Sequence, residues 1–154
     1  MDDKTALREA IEKSQESVDS GNFPVGAVIV RNGEILSSGI SNGKKLNDPT
    51  VHAETSAIRE ASQKLQTRDL SDTILYSSLE PCLMCWAASI WASVPKIVYA
   101  CGRDRVSKQH YEGNHNLEPI NESARHPIEL VYLRELEEEA LQVIKDWENT
   151  LKSE

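Results

Sequence analysis

Two short stretches, Thr50-Val51-His52-Ala53-Glu54 and Glu80-Pro81-Cys82-Leu83-Met84-Cys85, constrain this chain more than any other part of it. One imidazole and a Cys-x-x-Cys pair make three good zinc ligands, and three protein ligands leave the fourth tetrahedral position open for water or substrate. That is the coordination of a catalytic zinc. A purely structural site needs a fourth protein ligand. Cys101, His110, His115 and His126 have the right chemistry for one, yet none stands at a paired spacing from His52. Glu54, two positions past the histidine, is badly placed as a ligand beside the cysteines and well placed as a general acid/base. Any fold for this chain has to bring residue 52 up against residues 82 and 85.

The apolar pattern lays out the elements that do so. Ala6, Leu7, Ala10, Ile11 and Val18 recur at helical spacing between charges, predicting an amphipathic helix over 4–20 that ends at Gly21-Asn22. Residues 24–31 form a β-rich run, Asn32-Gly33 is a two-residue hairpin signal, and 34–41 returns as an antiparallel strand. Asp48-Pro49-Thr50 suits a helix start. A helix over 51–65 puts Ala53, Ala57, Ile58, Ala61 and Leu65 on one face and leaves His52 and Glu54 in the first turn, able to point into a cavity. Residues 73–78 read as a third strand. Glu80-Pro81 opens a third helix that is apolar nearly all round from Leu83 to Val94, the pattern of a buried element. A short apolar strand follows at 96–101.

Residues 102–127 are polar and mixed, a length that is usually functional or holds a short helix. A fifth strand is expected at 128–133. After it Leu133, Leu136, Ala140, Val143, Ile144, Trp147 and Leu151 form a helical stripe with Glu137, Glu138 and Glu139 on its solvated face. Strands alternating with helices from residue 51 onward indicate βαβ units. The expected fold is α/β, a three-layer α/β/α sandwich around a five-stranded mixed sheet, with 1–154 as a single domain large enough for one core.

Charge and cysteine usage narrow the partners. A formal net charge of −8 disfavours a nucleic-acid backbone, whose binding draws on clustered Lys and Arg. No apolar run approaches the ~20 residues of a membrane span. Met1-Asp2-Asp3-Lys4 lacks the basic and apolar regions of a signal peptide, so a cytoplasmic location without membrane contact is expected. Three cysteines, two of them in Cys-x-x-Cys, indicate metal or redox use in a reducing compartment. Cys101, ending an apolar strand, reads as a buried filler.

His-x-Glu followed by Pro-Cys-x-x-Cys is the signature of zinc-dependent nucleobase deaminases. Together with Phe23-Pro24-Val25-Gly26-Ala27-Val28-Ile29-Val30, Asn47-Asp48-Pro49-Thr50 and Ile97-Val98-Tyr99, it makes roughly residues 4–101 resemble the cytidine/deoxycytidylate deaminase superfamily, most of all its guanine deaminase and tRNA adenosine deaminase branches. The resemblance implies one zinc per chain on His52, Cys82 and Cys85, and a homodimer. In the family a residue closing the second strand, usually asparagine, holds the substrate ring. Here Ser41 stands in that place with Asn42 next, so either a bulge turns Asn42 inward, or Ser41 makes a shorter contact, or both are turn residues. Guanine deaminases use a second acid after strand four, and Glu112 is the nearest match by position, although exposed loop glutamates are common. Ala53 is a further candidate for substrate contact. Phe23 and Trp91 are candidate pocket walls, weighed against ordinary core packing. His110, His115 and His126 read as polar loop residues.

The implied chemistry replaces an exocyclic amino group with oxygen from water. Zinc lowers the pKa of water from 15.7 toward ~7. Two thiolates and a neutral His52 offset the metal's charge, so a nearby base matters more. Glu54 is expected to take the water proton as zinc hydroxide attacks the amino-bearing carbon, deliver it to a ring nitrogen, and help protonate departing ammonia. Cys82 and Cys85 open a helix, whose dipole favours thiolate. Guanine or a similar small base is the favoured substrate. Cytosine, pterin and triazine deaminases share the motif and are not separated by it. A tRNA adenosine deaminase shares Asp-Pro-Thr but must meet phosphates, for which only Lys44, Lys45, Arg103, Arg105 and Lys108 cluster locally. A non-catalytic zinc scaffold would predict loss of the shuttle residue, and Glu54 is present.

Overall fold

The computed structural model describes residues 1–113 and 115–152. Asn32 and Gly33 take φ of 52° and 78°, the left-handed pair that a two-residue hairpin of type I′ requires. That turn folds β1 (Gly26–Arg31) antiparallel onto β2 (Glu34–Ile40), with a register shift between Ile29 and Val30. On its other edge β1 pairs antiparallel with β3 (Thr73–Leu79). β3 then runs parallel with β4 (Lys96–Cys101), and β4 with β5 (Glu129–Tyr132). Among the described residues the sheet order is β2-β1-β3-β4-β5.

The helices are α1 (Asp3–Asp19), the short α2 (Gly43–Leu46), α3 (Ala53–Leu65), α4 (Leu83–Trp91), α5 (Leu117–Glu122) and α6 (Glu137–Lys152). Successive strand residues point to opposite faces, so the sheet builds two cores. Val28, Tyr76 and Val98 pack with Leu7 of α1 and Ile144 of α6. Ala27, Ile29, Leu75 and Ile97 pack with Ala53, Ala57 and Ala61 of α3. The result is the expected α/β/α sandwich around a five-stranded mixed sheet.

The alanine stripe of α3 lets that helix lie close on the sheet, and Gly39 of β2 makes the contact tighter still. A Cβ at Gly39 would stand 2.1 Å from the Ala53 carbonyl oxygen and 2.8 Å from the Ala57 nitrogen. The first turn of α3, which carries His52 and Glu54, is therefore seated by an absence of side chain.

Two expectations differ from the structure. The apolar helix expected over 83–94 ends at Trp91, and within it only Cys85 and Ser89 are buried. Trp91, the last residue of α4, is 81% exposed. Glu137 is not solvated. It is buried and accepts a hydrogen bond from the Tyr132 hydroxyl, because the 3₁₀ turn Arg134–Leu136 tucks the start of α6 against β5. The 102–127 stretch does hold a short helix, α5, preceded by two 3₁₀ turns, Arg103–Arg105 and Lys108–His110.

Gly39→Ala should destabilise the protein by about 1–3 kcal/mol, the usual cost of overpacking, read as a lower urea midpoint. The same variant should hold less than one zinc per chain.

Candidate active site

The loop before α3 is shaped by its own side chains. Asn47 takes a left-handed φ of 53°, and the Asp48 carboxylate accepts from the Thr50 amide at 2.9 Å and from the Thr50 hydroxyl at 2.7 Å. Thr55 Oγ1 in turn accepts from the His52 amide at 2.9 Å. These bonds place His52 at the N-cap position of α3. On the far side, Pro81 precedes α4, with Cys82 at the N-cap and Cys85 one turn in.

The two helix starts converge. His52 Nδ1 lies 3.5 Å from Cys82 Sγ and 3.5 Å from Cys85 Sγ, and the three donor atoms all lie within 4.8 Å of one another. Zinc distances of about 2.3 Å to sulfur and about 2.0–2.1 Å to nitrogen at a tetrahedral angle imply a sulfur-to-nitrogen edge of about 3.5–3.6 Å. The donor set therefore fits zinc in both chemistry and spacing. Among the described residues the metal-competent group that forms contains these three.

The electrostatics follow from burial and crowding. Hydrogen bonding from the Cys85 thiol, aided by His52, brings Cys82 down to about 4, while the same sharing and its burial push Cys85 up. The contact with Cys82 raises His52. Glu54 is 3% exposed; burial first, and the Cys82 charge second, push its carboxyl up to about 7. A carboxyl poised there exchanges protons readily near neutral pH.

A cavity of ≈ 380 Å³ opens over these groups. Of the residues singled out from the sequence, Phe23, Ser41, His52, Ala53, Glu54, Cys82 and Glu112 line it. Two candidates stand elsewhere. The Asn42 amide oxygen accepts from Asn22 Nδ2 at 3.2 Å, turned away because Asn42 leads into α2, so Ser41 faces the cavity without a bulge. Trp91 is at the far, exposed end of α4 and does not line this cavity.

The cavity also has lining residues that sequence reasoning passed over, among them Glu80, Met84, Arg103, His110 and Tyr111. Arg103 donates through both terminal nitrogens to the two Glu112 oxygens, one contact at 2.6 Å. Burial opposes both charges, yet the pairing outweighs it: Arg103 is raised and Glu112 held below the usual carboxylate range. The Arg103 amide donates to Glu80 Oε1 at 3.3 Å, and burial raises the Glu80 carboxyl. His110 is not a bystander in a loop; its ring meets Trp147 of α6 edge-on at 5.1 Å, and Trp147 lies 4.9 Å from Phe23. A signal for Arg103 did exist. It follows the end of β4, and α/β sheets place ligands at the carboxyl ends of their strands.

His52→Ala, Cys82→Ser and Cys85→Ser should each lose the one zinc per chain, measured by metal analysis, whereas Glu54→Gln should retain it. Chelation should lower the melting temperature of the wild type, since a metal held at 100 times its Kd adds about 2.7 kcal/mol to folding.

Comparison with known proteins agrees with this geometry. The family model for the cytidine and deoxycytidylate deaminase zinc-binding region matches residues 1–101. Guanine deaminase of Bacillus subtilis (strain 168) is 38% identical over 125 residues, covering 80% of this chain and 80% of that protein. The tRNA-specific adenosine deaminase of Aquifex aeolicus (strain VF5) is 42% identical over 107 residues, covering 70% of this chain and 66% of that protein. The X-ray structure of guanine deaminase from Bacillus subtilis superposes with a TM-score of 0.71 at 35% identity, over 97% of this chain and 95% of the other. Guanine deaminase from Nitrosomonas europaea gives a TM-score of 0.81 at 23% identity, over 92% of this chain and 82% of that one, a likeness of fold.

Proposed function

The chain belongs to the cytidine and deoxycytidylate deaminase family and is a zinc-dependent hydrolase of C–N bonds, and from that premise we propose that it deaminates guanine or a closely similar free base, releasing ammonia. The observation that carries this reading is a buried carboxyl, Glu54, beside three convergent metal donors in a cavity of ≈ 380 Å³, at the small end of the range for ligand sites. The guanine deaminase relative, matched over most of both chains, supports the choice of base.

Zinc held by His52, Cys82 and Cys85 supplies the Lewis acidity that makes water a competent nucleophile near neutral pH. The protein's own groups move the protons. A Glu54 carboxylate oxygen accepts the proton of the attacking water and returns it to the ring nitrogen beside the amino-bearing carbon. Glu54 then carries a second proton to the departing amine nitrogen, so that one carboxyl serves in turn as base and acid. Ala53 and Phe23 give the ring apolar contact, Ser41 offers a hydroxyl to its edge, and Glu112 accepts from its N–H groups. A donor-rich ring such as guanine suits that acceptor.

Deamination of adenosine in tRNA is the second reading, supported by the Aquifex aeolicus relative. The net charge of −8 works against it, because a polyanion must be met by Lys and Arg around the site. Free cysteines at the metal centre support a reducing, cytoplasmic setting for a single deaminase domain active in purine metabolism. No helix among the described residues is long and apolar enough to cross a membrane. Trp91, 81% exposed at the end of the apolar α4, supports a homodimer.

Ammonia release by zinc-loaded protein should be seen with guanine and not with cytosine, a pterin, a triazine or a tRNA anticodon stem. Glu54→Gln should lower it by about 10²–10⁴-fold at unchanged zinc content. Activity on the tRNA stem alone would reverse the order of the two readings. Trp91→Glu should move the protein from dimer to monomer in sedimentation, and a wild type that sediments as a monomer would dispose of the dimer.

A further inference from the structure

Two cavities lie back to back at the end of β4, and three residues form the partition. The cavity over the metal donors and a second, polar cavity of ≈ 600 Å³ share Glu80, Arg103 and Tyr111 in their linings. We propose that Arg103 is a positioning residue that sets substrate size: paired with Glu112, it holds residues 103–113 as the outer wall of the cavity, admitting a free base and excluding one that carries a sugar. The proposal rests on the reading of this cavity as the deamination site.

The wall is tied down along two edges. At the first, Arg103 presents its guanidinium fork to both Glu112 oxygens and lies over the Tyr111 ring at 5.5 Å. Glu112 Oε1 also accepts from the Leu83 amide at 3.4 Å, the first residue of α4 and the neighbour of Cys82. One carboxylate thus bridges the wall to the metal-bearing helix. At the second edge, His110 packs edge-on against Trp147 and, at 6.2 Å, against Phe23. The segment therefore spans the cavity from the start of α4 to α6.

An exposed ion pair would not justify this role, since such pairs contribute little. The Arg103 side chain is only 13% exposed and its partner 33%, and the two-pronged geometry fixes orientation in a way a lysine ammonium does not. Without the Arg103 side chain the partition loses one of its three members and the tie to Glu112. The ≈ 380 Å³ and ≈ 600 Å³ spaces would then be continuous, with room for a ribose beside the polar groups of the second cavity.

The test uses zinc-loaded full-length wild type, Arg103→Ala, Arg103→Lys, Glu112→Gln and, as a control from the same segment, Arg105→Ala. Steady-state ammonia release is measured with guanine and with guanosine, and zinc extraction is timed with a chromogenic chelator. Arg103→Ala should raise KM for guanine at least about tenfold with kcat little changed, the pattern of lost positioning rather than lost chemistry. The guanine-to-guanosine preference in kcat/KM should fall by a similar factor, and zinc extraction should speed up by as much. Glu112→Gln should shift extraction the same way, Arg103→Lys should fall between, and Arg105→Ala should match the wild type. Unchanged substrate preference and extraction rate in Arg103→Ala would overturn the proposal, as would equal effects in Arg105→Ala. If the wild type is inert toward both substrates, the proposed substrate fails, and the extraction rates decide alone on the wall.

Discussion

Three donor atoms within 4.8 Å of one another, drawn from the first turns of two helices, are the constraint on which the molecule depends. Two sulfurs and an imidazole nitrogen crowd together only when the backbone carrying them is held from behind. The sheet does this holding. β3 delivers α4 and its cysteines from one end, while β2 and β1 support α3 and its histidine. The alanine face of α3 and the bare Gly39 set that helix close to the strands, and the side-chain bonds of Asp48, Thr50 and Thr55 fix how the chain enters it. Each feature is small. Together they decide where His52 Nδ1 lies.

The same convergence creates the chemistry around it. Glu54 sits in the first turn of α3 beside one of the donors, His52, so seating that turn against the sheet also buries the carboxyl. Burial disfavours its charge and the neighbouring sulfur disfavours it further, which brings proton exchange into the neutral range. Charge elsewhere at the cavity is handled differently. Arg103 and Glu112 keep theirs by pairing, and the pair is spent on holding a segment that has no regular structure of its own beyond two 3₁₀ turns.

Much of this was legible in the chain. The long helices α1, α3 and α6 were readable from an apolar period of about three and a half, and β1 and β2 from a β-rich run and its return across a turn. The hairpin at Asn32-Gly33 was readable because two consecutive left-handed residues are a local property. The metal ligands were readable from residue type and spacing. The apolar helix at 83–91 misled, since hydrophobicity reports a wish for burial and does not say whether the cover comes from the same chain. Glu137 misled for the converse reason: its cover, the start of α6 folding onto Tyr132, is a contact made through the 3₁₀ turn before it.

What the sequence by itself determined was the set of elements, the three donors and the carboxyl beside them, because these rest on local periodicity and on the fixed chemistry of side chains at short spacing. What only the tertiary structure decided was the company those residues keep. Ser41 rather than Asn42 faces the cavity because the chain bends into α2 after β2. His110, which lines it, meets Trp147, distant in sequence, and Arg103 crosses to Glu112 to close its side. The first contact joins segments far apart in the chain, and the second spans nine residues of a stretch with no apolar period. No local pattern encodes them, because they depend on the packing of every element between.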